Sequence, residues 1–464
     1  MRATRRCKNI ARPVRVYRLR LEPGPAPAPS RPRRRRLGRA LGAAVVIAVL
    51  GAGGWAGWRR LGASTSSALP LPDRPSVAVL PFTNLSQDPS QAYFSDGVTE
   101  DLITALSKVS GLFVIARNST FVYKDRPVKI RDVGRELGVR YVVEGGVQRA
   151  GDRVRITVQL VDAATGYHVW AERYDRDFRD IFALQDEVTT RIVRSLAVRL
   201  SEAERARMTR PPPGDLAAYD LVLRGQEARH RATREENAEA RRLFVKALDL
   251  DPDYAAASVG LGWTLLQSWQ MLWSPDPGTL QRARELGERA VALDDTLAQA
   301  HCLLAQVYLW RKDHDRALAE AERAIALAPN DADGYETRAE VLGWGGRPQE
   351  SRASIEQAMR LNPHYPYFYL WTLGHAEYLA GRRREALDTF DKLVQANPDF
   401  LGAHAYRAAV LTELRREGEA QQAWHTASRL SPGVTLAALR ERLPYRRPAD
   451  LERVLAAVRT SGLR

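Results

Sequence analysis

A six-residue phrase of Ala, an aliphatic residue, any residue, Leu, any residue and Pro recurs along the second half of this chain. It stands at Ala247–Pro252, Ala324–Pro329 and Ala358–Pro363, and more loosely at Leu393–Pro398 and Ala427–Pro432. From Ala324 on, successive phrases lie about 34 residues apart, the length of one helical hairpin with its turns, and the first stands about two such lengths and nine further residues before Ala324. Proline after an apolar turn stops a helix, because it brings no N–H to the ladder and clashes with the preceding carbonyl. A hairpin of this size cannot bury its apolar face alone, so the period requires neighbouring units to stack around one continuous core. The cleanest unit, 298–331, places Leu304, Ala305, Tyr308, Ala317, Ala321, Ala324 and Pro329 at the packing positions, with small residues where two antiparallel helices must close. The unit starting at Ala255, with Leu261, Gly262 and Ala290, carries about nine extra residues around Trp273–Gly278, which are expected to bulge as a loop.

This register is that of the tetratricopeptide repeat, and residues 218–432 resemble about six such units, the first beginning near Ala218. Within the C-terminal region 433–464, Asp450–Val458 is amphipathic and is expected to cap the exposed end of the stack. Stacked hairpins leave a concave groove lined by the first helix of each unit, and such surfaces bind extended peptides or protein segments. Counting along the register places Gln306, Trp310, Glu340, Trp344, Trp371, His375 and Tyr378 toward that groove. Aromatic anchors there suit a hydrophobic peptide. Each aromatic can equally serve as packing between helices.

The charge narrows the partner. The net charge is +15, but residues 1–39 hold 14 Lys or Arg against one acid, Glu22, which leaves about +2 to the other 425 residues. The folded part therefore has no basic excess for a phosphate backbone, and nucleic-acid binding is not expected. The two cysteines, Cys7 and Cys302, are too far apart in sequence to draw a disulfide framework, and the eight histidines form no His-x-x-x-His pair. Glu227 and His230 make a single Glu-x-x-His without a second pair. No catalytic, cofactor-binding or metal-binding residue is assigned.

Residues 40–58 carry no charge and are rich in Ala, Val, Ile, Leu and Gly. As a helix rising about 1.5 Å per residue they cross a hydrocarbon layer of about 30 Å. Six arginines, Arg31 to Arg39, precede the run, only Arg59 and Arg60 follow it, and Trp55 and Trp58 sit at its edge. The asymmetry predicts a single transmembrane helix with the N-terminus cytoplasmic and the C-terminal domains extracytoplasmic, in a bacterial inner membrane. Residues 22–36 are a Pro, Ala and Arg segment that cannot fold and whose arginines suit anionic headgroups. Before it, Lys8–Leu19 alternates as a short strand, KNIARPVRVYRL, and resembles the closing strand of class III adenylate and guanylate cyclase domains. That resemblance implies a catalytic domain upstream of Met1, where the family's metal-binding aspartates would lie.

After a linker, 59–73, residues 74–205 read as an α/β domain. Pro75–Phe82 is a short β-branched run, and Phe94, Val98, Leu102 and Leu106 recur at helical spacing behind the capping candidates Ser95 and Asp96. Leu112–Ala116 reads as a second strand, Val128–Leu137 as a second helix, and Tyr141–Gln148, Val154–Asp162 and Tyr167–Arg173 as three more strands. Alternation over Arg153–Leu160 covers one sheet face and leaves the other wet. Asp96, Glu100, Asp101 and Glu144 have no nucleophile or His at a catalytic spacing and read as caps and solvated faces. Gly145-Gly146 reads as a bulge. The phrases VAVLPF, FSDGVTE, LGVRYVVEG and WAERYD resemble the N-terminal domain of TolB-like proteins, a non-enzymatic module found between cyclase or winged-helix domains and tetratricopeptide repeats.

The expected fold is thus a mixed-sheet α+β domain, TolB-like, followed by an all-α tetratricopeptide superhelix behind one N-terminal transmembrane helix. The expected function is a membrane-anchored scaffold that binds a protein or peptide partner, as the sensory part of a cyclic-nucleotide signalling protein. The alternative is a fragment of an adenylate or guanylate cyclase. Transcriptional control through an attached winged helix is set aside, since no helix-turn-helix is legible.

Overall fold

The computed structural model describes residues 69–86, 88–208, 215–433 and 435–462. The basic tail, the segment 40–58 and most of the linker lie outside them. Among the described residues no helix is long and apolar enough to cross a membrane.

A six-stranded sheet has the order β3-β1-β4-β5-β6, with β2 pairing farther along β4. Its strands are β1 (Ser76–Val79), β2 (Thr83–Asn84), β3 (Phe113–Val114), β4 (Tyr141–Ala150), β5 (Arg153–Asp162) and β6 (His168–Asp177). Strand β1 runs parallel to both β3 and β4, joined by crossovers through α1 (Ala92–Ser107), α2 (Arg117–Phe121) and α3 (Ile130–Leu137). The last three strands form an antiparallel meander. Val154, Ile156, Val158 and Leu160 of β5 are buried while Arg153 and Arg155 stay exposed, so alternation selects the inner face. That face packs on Phe94, Val98, Leu102 and Leu106 of α1 and on Ile181, Leu184, Val188 and Ile192 of α4 (Ile181–Ser195). Sequence reading stopped at the meander and missed α4. Around β1 the opposite face is covered too, as Ala78, Leu80 and Val142 meet Val133 and Leu137 of α3.

Two sequence expectations change here. Gly145 and Gly146 form no bulge: they pair in register with Val158 and Thr157, and the irregularity lies at Leu160–Val161. Their lack of a side chain serves close approach, since a Cβ on Gly145 would meet the Thr157 carbonyl oxygen at 2.3 Å and one on Gly146 would meet Leu85 at 2.6 Å. The acids of α1 are not caps, because Gln91 occupies the N-cap position. Asp96 pairs with Lys124 at 2.6 Å, and Asp101 accepts from the Tyr219 hydroxyl at 2.7 Å. Glu100 meets Arg117 at 2.9 Å and His230 at 3.2 Å. Burial alone would raise the Glu100 carboxyl, yet His230 and Arg117 hold it at about 2.

The repeats follow after α5 (Glu202–Met208) as six helical hairpins: α6 (Leu216–His230) with α7 (Arg234–Leu250), α8 (Ala255–Gln270) with α9 (Thr279–Leu293), and α10 (Ala298–Trp310) with α11 (His314–Leu327). Then come α12 (Ala332–Trp344) with α13 (Pro348–Leu361), α14 (Tyr367–Leu379) with α15 (Arg383–Ala396), and α16 (Leu401–Glu413) with α17 (Glu417–Leu430). Residues 271–278 form the expected loop between α8 and α9. Inside each of the six hairpins one turn residue is left-handed, at Ala232 in the first and, with a shared closing pattern, at Leu272, Lys312, Gly346, Gly381 and Arg415 in the others. In that pattern the N–H of the next residue reaches back over the helix end, as Asp313 does to the Tyr308 carbonyl at 2.9 Å.

The α/β domain is welded to this stack. Helix α1 packs on α6, and Leu361 at the end of α13 joins the core of Ala78, Phe113 and Ile115. The Ala116 N–H donates to the Leu361 carbonyl at 2.8 Å, and the Arg360 guanidinium donates to the Gly138 carbonyl at 3.1 Å.

Candidate functional site: the concave face

The first helices of successive hairpins, α8, α10, α12, α14 and α16, touch one another, so they form the inner side of the curve. An aromatic residue lies near the end of each of the first four, Trp269, Trp310, Trp344 and Tyr378, and the fourth also carries Trp371 two turns earlier. Trp269, Trp310 and Trp344 form a ladder with ring centroids 5.4 and 6.2 Å apart, and Trp371 continues it at 6.4 Å. His375 lies parallel to the Trp371 ring at 5.7 Å and 4.3 Å from Trp344. Between the aromatics runs a polar strip in which Gln306 Nε2 donates to Glu340 at 2.6 Å and Thr372 Oγ1 donates to Glu336 at 3.0 Å. Burial pushes both glutamate carboxyls up, so this strip takes protons more readily than an exposed acid.

All seven residues singled out from the sequence fall on this inner side, but they do not form an open groove. Trp310, Glu340 and Trp371 are half-buried, while Gln306, Trp344, His375 and Tyr378 are buried. The cover is the C-terminal segment of the same chain. From α17 the backbone passes through α18 (Leu436–Arg442) to the far side of the curve, where Arg442 donates to the carbonyls of Trp269 and Gln270, each at 2.8 Å. It then threads Tyr445 between the inner helices. The Tyr445 ring meets Trp344 edge-on at 4.7 Å, and its hydroxyl lies 2.9 Å from His375 Nε2 and 2.6 Å from the Tyr406 hydroxyl. The Arg446 N–H donates to the Trp344 carbonyl at 3.0 Å, and its guanidinium pairs with Asp315 at 2.7 Å. So enclosed, His375 is pushed down to about 3 by burial.

The chain returns as α19 (Pro448–Thr460), which packs along α16 and not as a further layer of the stack. Arg453 pairs with Glu413 at 2.7 Å and lies 4.4 Å over the ring of Tyr378 in α14. Ser461 Oγ is 2.7 Å from Thr412 Oγ1. The expected cap at the open end is therefore a lining of the inner face. Its apolar stripe, Val454, Leu455, Ala457 and Val458, is buried there because the concave side offers apolar contacts on more than one helix. Sequence reading missed Tyr445, Arg442, Arg446 and Asp315. The available signal was an aromatic residue amid Leu443-Pro444-Tyr445-Arg446-Arg447-Pro448, a run too polar to bury a tyrosine on its own. No cluster of three or more His, Cys, Asp or Glu side chains placed to hold a metal lies among the described residues.

Residues 226–298 and 298–331 match tetratricopeptide repeat families, so the chain carries these repeats. Residues 73–191 match the family described as HilA/YgeH-like transcriptional regulator, second domain. A curated relative from Rhizobium meliloti (strain 1021), named "Putative adenylate cyclase 3", is 48% identical over 248 residues, covering 53% of this chain and 42% of its own length. This chain thus spans about two-fifths of that relative. Among solved structures, a thermophilic tetratricopeptide protein of Thermus thermophilus is 22% identical over 42% of this chain and 99% of its own, with a TM-score of 0.35. The pilF protein of Pseudomonas aeruginosa is 18% identical over 47% and 93%, also with a TM-score of 0.35.

Proposed function

We propose that this chain is the membrane-anchored regulatory part of a cyclic-nucleotide signalling protein, whose repeats bind a protein or peptide partner. The described residues form a repeat scaffold, a fold consistent with a chain that is not itself an enzyme. The observation that carries the signalling link is the 48% identity to a relative named as an adenylate cyclase. The cyclase-like strand at Lys8–Leu19 supports it, and the charge-free run 40–58 supports the anchor, with the C-terminal domains outside the cytoplasm. On this reading the catalytic domain lies before Met1 in the native product.

The test is a small tag placed after Arg464 at the chromosomal locus, followed by blotting and cyclase assay of membrane fractions. A membrane band larger than the 51.9 kDa of this chain by a catalytic domain's mass, with cyclase activity in the tagged material, is the expected result. A soluble band with no activity overturns it. The match of residues 73–191 to a domain of transcriptional regulators favours a second reading, control of transcription. Its discriminating outcome is DNA recovered with the tagged chain after cross-linking.

A further inference from the structure

The C-terminal segment makes the kinds of contact that a separate peptide would make on an inner repeat face. It offers one aromatic ring seated against Trp344, a phenol shared by His375 and Tyr406, and one backbone N–H to the Trp344 carbonyl. It also offers two guanidinium groups, Arg442 on the carbonyls ending α8 and Arg446 on Asp315. The face answers with the complementary chemistry: an aromatic ladder, a polar strip holding Glu336 and Glu340, and carbonyls at a helix end. Beside the buried Tyr445, Arg446 and the turn 311–315 line an open depression at the surface. The tether to α17 is short, since α17 ends at Leu430 and α18 begins at Leu436.

We propose that Leu436–Ser461 is a built-in ligand that holds the concave face closed, and that the partner displacing it is an extended segment presenting an aromatic side chain followed by arginine. This rests on the reading that the concave face binds a partner. The aromatic residue enters the pocket of Trp344, His375 and Tyr406, and the arginine replaces Arg446 on Asp315. A short tether gives the segment a local concentration on the order of millimolar, so a free peptide of equal intrinsic affinity competes poorly until the segment is released.

The experiment uses the full chain with a protease site inserted after Pro432, cut only after folding, and a fluorescent peptide of residues 435–464 as the probe. Anisotropy should show saturable binding to the cut chain, and binding to the uncut chain weaker by about 100-fold. A probe carrying Tyr445→Ala should bind the cut chain about 10-fold or more weakly. As a second arm, an uncut chain with Tyr445→Ala should admit the wild-type probe. If the cut segment never exchanges, or the uncut chain binds the probe as well as the cut one, the segment is a fixed part of the core and the proposal falls. If the probe exchanges but the tagged chain retains no partner or activity from cells, the scaffold reading falls and the built-in ligand stands.

Discussion

The side-chain amide of Asn330 donates to the Val109 carbonyl at 2.7 Å, tying the turn after α11 to the loop behind α1 across more than two hundred residues of sequence. The Asn330 N–H also donates to the Ser107 carbonyl at 3.1 Å, and Arg74 donates to its side-chain oxygen at 3.1 Å. The residue is 1% exposed, so no water can replace these partners. Asn330→Ala should cost about 1–3 kcal/mol, the penalty for leaving buried polar groups unpaired. Denaturant unfolding should show a lower midpoint, and hydrogen exchange should quicken at 107–113 before it does in the inner helices. Unchanged protection there would mean that the apolar contact around Leu361 alone holds the domain to the repeats.

Gly145 sits where β4 passes under Phe82. An added Cβ would lie 2.3 Å from the Thr157 carbonyl oxygen and 3.1 Å from the Phe82 ring, and the carbonyl cannot swing away without breaking the β4–β5 ladder. Gly145→Ala should therefore destabilise the chain by about 1–3 kcal/mol, as overpacking does elsewhere. Thermal unfolding checks it. Gly151→Ala, in open space but at a left-handed φ of 58°, should cost less, with strain alone to bear.

The repeats were legible because their period acts on sequence: Ala317, Ala321 and Ala324 must be small wherever the two helices of a hairpin close, and all three are buried. The strands were legible where alternation is strict, as over Arg153–Leu160. Helix α4 was not, although Ile181, Leu184, Val188 and Ile192 are spaced as a helix, because the reading of that domain stopped at its last strand. The occupant of the concave face was illegible for a different reason. Register counting shows which residues point inward, as it did for Trp344 and His375, but not what covers them. Tyr445 meets them through a fold-back from 70 positions beyond His375 and farther still beyond Trp344, and no local pattern encodes that meeting.

Arg415 occupies the left-handed position of its hairpin turn at φ 63°, the place that Gly346 and Gly381 take in the two preceding hairpins. An L side chain there costs about 1–2 kcal/mol, of which glycine gives back part through greater freedom in the unfolded chain. The Arg415 side chain is exposed, so nothing is lost in packing. Arg415→Gly should raise the unfolding midpoint by an amount equivalent to a few tenths of a kcal/mol up to about 1 kcal/mol. A fall in the midpoint would show that the guanidinium holds the turn in solution.

His375 lets acid test the seal on the concave face. Its imidazole is pushed down to about 3 by burial, whereas the unfolded chain takes up that proton near the ordinary histidine value of about 6.5. Its folded pKa is the lower one, so the stability tied to this group is complete above pH 6.5 and drains away as pH falls toward 3. Glu336 and Glu340 pull the opposite way, since their raised carboxyls hold protons in the folded state that the unfolded chain has released. The comparison that isolates the imidazole is wild type against His375→Gln, which keeps a neutral polar partner for the Tyr445 hydroxyl. Between pH 6.5 and 4.5 the wild-type midpoint should fall relative to the variant, and exchange at 443–447 should quicken in the wild type first, because the protonated ring would need water that Tyr445 excludes. Parallel curves for the two chains would mean that His375 already meets solvent in the folded state, and that the Tyr445 contact is looser than its 2.9 Å separation implies.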